Sequence, residues 1–240
     1  GPRTSEEALS TAISTGRMQK KTLIVVNDGP GFYTSRTFGV FVLTGFYLAE
    51  MGLEPWDVDR IGMAAGFPQG PLNVYGTAVG NVIYHAAKAM HERMPERITI
   101  PESLIRMYEA GYVGAGKGCF YEKGGRPDQS ALEYVVRDGK RPTPDPEEAR
   151  EMLLLSMVNQ AFLCMDEGVL ADFVSMDLGA ILGVGFPDCW HGPARYVSQH
   201  GVRATKDRLN QLHEKFGLAF FVPAREFDRL IACGVDRGLI

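Results

Sequence analysis

The chain has no concentrated block of lysine or arginine, and its formal net charge is −4. It therefore lacks the basic face that phosphate-backbone binding requires, and nucleic acid is not an expected partner. It has no long hydrophobic run: even Phe38 to Leu48 is interrupted by Gly39, Thr44 and Gly45, short of the roughly 20 apolar residues that span a bilayer. Its four cysteines, Cys119, Cys164, Cys189 and Cys233, are far apart and show no paired metal-ligand spacing. They read as the reduced thiols of a cytoplasmic protein, and no metal site is expected. No Gly-x-Gly-x-x-Gly turn follows a strand-like run, so a pyrophosphate cradle is missing. The initiator Met is missing too: Gly1-Pro2 fits either a protease scar or the cut point of a fragment. What is present is 45% hydrophobic, enough to bury a sizeable core in one large domain or two small ones.

The richest stretch is Asn27-Asp28-Gly29-Pro30-Gly31-Phe32-Tyr33-Thr34-Ser35-Arg36, lying between the apolar run Leu23-Ile24-Val25-Val26 and a helical pattern that begins near Thr34. It reads as strand, tight turn and helix start. Two glycines and a proline let the backbone reverse at low steric cost, and the hydroxyls of Thr34 and Ser35 can face whatever lies above the helix N-terminus. Upstream, Thr4-Ser5-Glu6-Glu7 has the form of a capping box and predicts a short helix from about Ser5 toward Gly16. A buried strand is expected over Thr22 to Val26. One helix and one strand make no sheet, so this segment reads as the last unit of a sheet domain whose body precedes residue 1.

From Thr34 the residues Phe38, Phe41, Val42, Phe46 and Ala49 recur at three- and four-residue steps and predict a helix that Gly52 closes. Pro55 opens the next helix with Val58, Ile61 and Met63, and Pro71 leads to another around Ala78 to Met90. Pro101-Glu102 starts one that ends near Gly111. Residues 114–144 turn Gly-, Pro- and charge-rich and read as a turn, a short extended piece and a linker. Asp145-Pro146-Glu147-Glu148 then announces a long helix through Leu153, Met157, Phe162 and Met165, and Phe227 to Cys233 reads as a last packing helix.

The halves look like a diverged repeat. A helix, Glu50-Met51-Gly52, a short helix with Asp59, Gly66-Phe67-Pro68 and Gly70-Pro71 are matched in order by a helix, Asp166-Glu167-Gly168, a short helix with Asp177, Gly185-Phe186-Pro187 and Gly192-Pro193. Duplicated helical units pack readily about a pseudo-twofold axis. The alternative is coincidence of Gly and Pro punctuation.

The motifs Val26 to Arg36, Gly66-Phe67-Pro68-Gln69-Gly70-Pro71, Gly116-Lys117-Gly118-Cys119-Phe120-Tyr121, Val158-Asn159-Gln160-Ala161 with Glu167-Gly168, and Gly183-Val184-Gly185-Phe186-Pro187 resemble the C-terminal region of the 3-hydroxyacyl-CoA dehydrogenases. The form carried in the alpha subunits of the fatty-acid beta-oxidation complex is the most similar. The resemblance implies a mainly α fold with two repeated helical units of the 6-phosphogluconate dehydrogenase C-terminal type, preceded by a helix-strand remnant of a Rossmann domain. It sets boundaries at 1–27 for the end of the NAD-binding domain, 28–122 for the first helical unit, 123–144 for a linker and 145–240 for the second unit. It implies an NAD-dependent enzyme that oxidises (3S)-3-hydroxyacyl-CoA to 3-oxoacyl-CoA in the intact protein. NAD and the catalytic His and Glu belong to the Rossmann part, so this chain alone is expected to bind no cofactor and to be inactive. Expected partners are the acyl-CoA substrate, the NAD-binding domain, and a second copy or a beta-oxidation complex. The other reading is a non-catalytic dimerisation or acyl-CoA-binding module.

Carried onto this sequence, the resemblance places Ser35 where the family often has an Asn that bonds the reacting 3-oxygen. A serine hydroxyl can still donate there, with a shorter reach; the other reading is that Thr34 and Ser35 only cap the helix. Phe32, Phe67, Pro68, Gly70 and Pro71 resemble acyl-pocket lining, with a plain helix corner as the alternative. Lys117 sits at a turn that faces the cofactor side in the family, although the turn is shortened here. Arg36 reads as a buttress or salt-bridge residue. Glu50, Asp59, Glu167 and Asp177 read as repeat-conforming helix residues, and His191 beside Trp190 as a corner or interface histidine.

Overall fold

The computed structural model describes residues 1, 3–114 and 117–240, with the backbone but not the side chains of Ala78 and Val79. The Pro2 and Gly116 positions of the sequence motifs lie outside the described residues. The architecture is helical, with an isolated antiparallel bridge between Tyr121 and Pro127 and no named strand among the described residues.

Helix α1 (Glu6–Met18) buries none of its residues, and its cap is Ser5, whose hydroxyl accepts the Ala8 N–H. The cap thus falls one residue later than the Thr4-to-Glu7 spacing suggests. Residues 19–29 then run without regular structure, which corrects the expected strand over Thr22 to Val26. A strand exists only through a neighbour's backbone, and here the segment is fixed at its end by the Asn27 N–H on the Val169 carbonyl, 2.9 Å, and the Asn27 amide on the Gly168 carbonyl, 2.8 Å. Ile24 and Val26 still turn onto the core, while Leu23 and Val25 stay exposed.

Two long helices, α2 (Thr34–Glu50) and α7 (Pro146–Asp166), form the centre and pack along each other. Every residue from Gly39 to Glu50 and from Met152 to Cys164 is buried. Wrapping on all sides extends the burial beyond the apolar face that each sequence marks. Helix α7 starts on a complete capping box between Asp145 and Glu148 with Pro146 in its first turn, as its sequence predicts.

Around this pair sit α3 (Pro55–Ala64), α4 (Pro71–Val74), α5 (Gly80–Arg93) and α6 (Glu102–Glu109) from the first half. The second half supplies α8 (Phe173–Val184), α9 (Pro193–His200), α10 (Val202–Phe216) and α11 (Arg225–Ala232). Between α4 and α5 the chain widens into one π-helical turn, Tyr75–Val79. Such turns are rare and often mark functional sites. The segment 123–144 is well anchored: the Arg137 guanidinium donates to the Ala49 and Leu53 carbonyls, and Arg141 donates to the Phe216 carbonyl at 2.8 Å. It ties the end of α2 to the end of α10. No helix of the described residues is long and apolar enough to cross a membrane.

Candidate functional site

The same corner recurs in both halves. Asp59 on α3 accepts the Leu72 N–H at 2.8 Å, and Asp177 on α8 accepts the Ala194 N–H at 2.7 Å. Each carboxylate satisfies the start of the helix that follows a Gly-Pro pair, an acceptor's natural place at a positive helix end. Each also explains its glycine. A Cβ on Gly70 would lie 2.2 Å from the Asp59 carboxylate, and one on Gly192 would lie 2.3 Å from that of Asp177. The turns lock reciprocally as well: a Cβ on Gly66 would stand 3.0 Å from Pro187, and one on Gly185 would stand 2.8 Å from Pro68. Phe67 meets Phe186 edge-on between them at 6.4 Å.

Burial raises Asp59 to about 6 despite the Tyr121 hydroxyl and backbone donors that favour its charge. Asp177 is likewise pushed up to about 6 by burial. Both carboxylates are engaged at helix starts. Glu50, raised by burial, caps α6 through the Ser103 N–H at 2.8 Å.

The turn that enters α2 is held from below. Arg36 is wholly buried, and its guanidinium grips Glu167 with Nη1 at 2.5 Å and Nη2 at 2.9 Å. With the Gln160 amide oxygen turned toward it, Arg36 also donates from Nε at 3.0 Å. Burial is the largest influence and opposes the charge, but the Glu167 hydrogen bond together with the Cys164 and Glu167 charges outweighs it, and the guanidinium pKa lies above its usual value. The bidentate geometry fixes direction as well as distance. Phe32 holds a φ of +50°, a strained value for a bulky residue that survives only where its surroundings over-determine it. Its N–H donates to the Gly29 carbonyl at 3.0 Å.

Above this anchor Ser35 is exposed on the first turn of α2, whose N-cap, Tyr33, makes no side-chain cap bond. Ser35 lines a cleft of about 220 Å³ between α2 and α5. Phe67 and Pro68 line an adjoining cleft of about 300 Å³ with Phe41, Thr77 and the backbone of Gly185. Phe38 belongs to both walls, so the turn 31–36 and the Gly-Phe-Pro turn border one region. Phe67 itself is 4% exposed and packs on Phe41 at 4.4 Å. Gly70 and Pro71 line neither cleft: both are buried at the Asp59 corner, with Pro71 pressed against Gly45. Phe32 points outward, 52% exposed. Lys117 is exposed and lines neither cleft.

Sequence reasoning gave Asp59, Asp177 and Glu167 no task. The readable signal for the first two was an acidic residue on the helix before each Gly-Pro pair. Cys164, beside Arg36, is pushed up to about 11 by burial and is a packing thiol. No group of three or more His, Cys, Asp or Glu side chains among the described residues is arranged to hold a metal.

Residues 31–123 match the family described as 3-hydroxyacyl-CoA dehydrogenase, C-terminal domain. The chain resembles this family over that stretch. It is 29% identical over 224 residues to the fatty acid oxidation complex subunit alpha of Shewanella loihica, covering 91% of this chain and 32% of that protein. The corresponding subunit of Acinetobacter baumannii is 32% identical over 223 residues, with 84% and 30% covered. The chain thus spans about a third of the length of these curated relatives. In solved structures the fold recurs in 3-hydroxybutyryl-CoA dehydrogenase from Escherichia coli, with a TM-score of 0.76 at 15% identity over 96% of this chain and 66% of that one. It recurs again in the dehydrogenase part of multifunctional enzyme 1 from Caenorhabditis elegans, with a TM-score of 0.66 at 20% identity over 95% and 54%. The helical dehydrogenase C-terminal fold expected from the motifs is the one observed.

Proposed function

We propose that this chain is the substrate-closing part of an NAD-dependent 3-hydroxyacyl-CoA dehydrogenase that, as a whole protein, oxidises (3S)-3-hydroxyacyl-CoA to 3-oxoacyl-CoA. The observation that carries this reading is the Ser35 hydroxyl, exposed in the apolar α2–α5 cleft, which adjoins the Phe67 cleft at Phe38, and held by a turn anchored on a buried ion pair. A hydroxyl so placed donates to the 3-oxygen as negative charge develops on it, while the apolar walls keep water from competing. The family match over residues 31–123 and the similarity to subunits named for a fatty acid oxidation complex support the same assignment.

The described residues do not fit NAD by themselves, since they contain no strand leading through a glycine turn into a helix N-terminus. On this reading a separate NAD-binding domain holds the dinucleotide, and this chain supplies the lid and the oxygen donor. Two helical units, 28–122 and 145–240, joined by 123–144, form that lid, the paired Asp59 and Asp177 corners being the argument for duplication. The test is to mix the chain with a separately purified NAD-binding half of the family and follow acetoacetyl-CoA-dependent loss of NADH absorbance. Activity in the mixture alone is expected; silence from two folded, associating halves overturns the reading.

A second reading, a dimerisation or acyl-CoA-binding module without chemistry, draws on the outer face of α8, where Val174, Leu178 and Leu182 are exposed. A monomeric mass at high micromolar concentration together with no acyl-CoA binding would remove it.

A further inference from the structure

The two clefts beside Ser35 differ in chemistry. The one at Phe67 has a mixed wall, with Gln69, Thr77 and the backbone of Gly183 to Gly185. The one between α2 and α5 is almost pure hydrocarbon, and Ser35 supplies the only side-chain oxygen among its lining residues. Its walls are two facing stripes. On α2, Ser35, Gly39 and Leu43 stand four residues apart, so the groove leads away from the Ser35 hydroxyl along one helix face for about 12 Å at 1.5 Å per residue. On α5, Ile83, Ala87 and Met90 face it at helical spacing.

The groove stays open because its residues are small where the helices approach. A Cβ on Gly39 would stand 3.1 Å from the Met90 methyl, and Ala86 and Ala87 leave the opposite wall low. Met90, 3% exposed, gives the floor a flexible thioether that adapts to its occupant. Val82 on the rim is 63% exposed, an apolar surface that a bound chain would cover. The volume of about 220 Å³ holds roughly seven groups the size of a water molecule at about 30 Å³ each, and a methylene is of similar size.

We propose that the α2–α5 groove takes the aliphatic tail of the acyl-CoA and tunes this protein to medium-chain acyl groups, of about ten carbons when Ser35 meets the 3-oxygen. The proposal rests on the reading of Ser35 given above. Unbranched hydrocarbon is the chemistry the walls match: a polar occupant would find no partner beyond Ser35, and each methylene moved from water into such a wall tightens binding about fourfold.

The test is calorimetric titration of the chain with butyryl-CoA, decanoyl-CoA and free CoA, repeated on Ala86→Phe, whose ring would fill the groove, and on Val82→Glu, which charges its exposed rim without touching the core. Decanoyl-CoA is expected to bind at least about tenfold more tightly than butyryl-CoA, and both variants are expected to remove that advantage while leaving butyryl-CoA binding within about threefold. Equal affinity for the two chain lengths, or an advantage that survives both variants, overturns the inference and leaves the dehydrogenase reading standing. Failure to bind any acyl-CoA counts against that reading as well. A dimer that falls apart in both variants would mean that a second copy fills the groove, which overturns the inference too.

Discussion

In the first half, Asp59 receives the Leu72 N–H and the Tyr121 hydroxyl, the latter at 2.5 Å, and is 1% exposed. In the second half, Asp177 receives the N–H groups of Ala194 and Arg195 and faces an open cleft with His191 and Arg195. The corner is the same, but the first copy is sealed by the Cys119-Phe120-Tyr121 segment, while the second leaves its carboxylate at the edge of solvent. The neighbours differ in the opposite sense. After its corner the first half passes through the π-helical turn Tyr75–Val79 and carries the Ser35 cleft and most of the wall of the Phe67 cleft. The second continues into the regular α9 and α10. One device for starting a helix thus stands beside two clefts in one half and beside regular helices in the other.

Breaking the corners in parallel gives the largest expected effects. Gly192→Ala must push its Cβ against Asp177 and also hold a φ of +104°. Overpacking plus backbone strain should cost about 4 kcal/mol in urea unfolding. Gly70→Ala meets the same kind of clash at an ordinary φ of −72° and should cost about 2 kcal/mol. Equal losses would mean that the two corners are not built on the same terms.

The joint between the halves comes between these two. Glu167→Ala leaves the buried Arg36 guanidinium with only Gln160, and an unpaired buried charge should cost about 3 kcal/mol. Glu167→Gln, which keeps one acceptor, should lose less in the same urea titration.

A pH series sharpens the comparison further. Asp59 and Asp177, both raised by burial to about 6, bind protons more tightly folded than unfolded. Their share of stability is therefore fully present at pH below about 4 and is lost as pH rises through 6. Asp59→Asn and Asp177→Asn keep an acceptor for the helix start and lose the titration, so each should flatten the dependence of the urea midpoint on pH between 4 and 6. If neither variant changes that slope, the carboxylates are not buried as described.

Much of this was readable in the residues. Asp145 and Glu148 announce α7, and Pro55, Pro71 and Gly52 place their helix ends, because capping and backbone restriction are local effects. The burial of α2 and α7 was readable in part, since the apolar positions mark one face and nothing local says that the other faces are covered too. The run Thr22 to Val26 has the composition of a strand but no partner within the chain, and pairing is not a property of the segment. At the site, Arg36 announced a buttress, whereas its partner Glu167 lies 131 residues away. Gly70 and Pro71 read as pocket lining because they follow Phe67 and Pro68, yet the chain turns inward at Gly70 to meet Asp59, and only tertiary contact reveals that.

The smallest effect on stability, and the largest expected on chemistry, belongs to Ser35. Its exposed hydroxyl makes no hydrogen bond to the described residues that the substitution would remove, so Ser35→Ala should change stability in urea unfolding by less than about 0.5 kcal/mol. The measurement that bears most directly on the dehydrogenase account is kcat for acetoacetyl-CoA reduction in the mixture with an NAD-binding half, for the unaltered chain and for Ser35→Ala at equal association. The account predicts a fall of about tenfold or more in kcat with stability unchanged; an unchanged kcat would contradict the assignment of the 3-oxygen to Ser35.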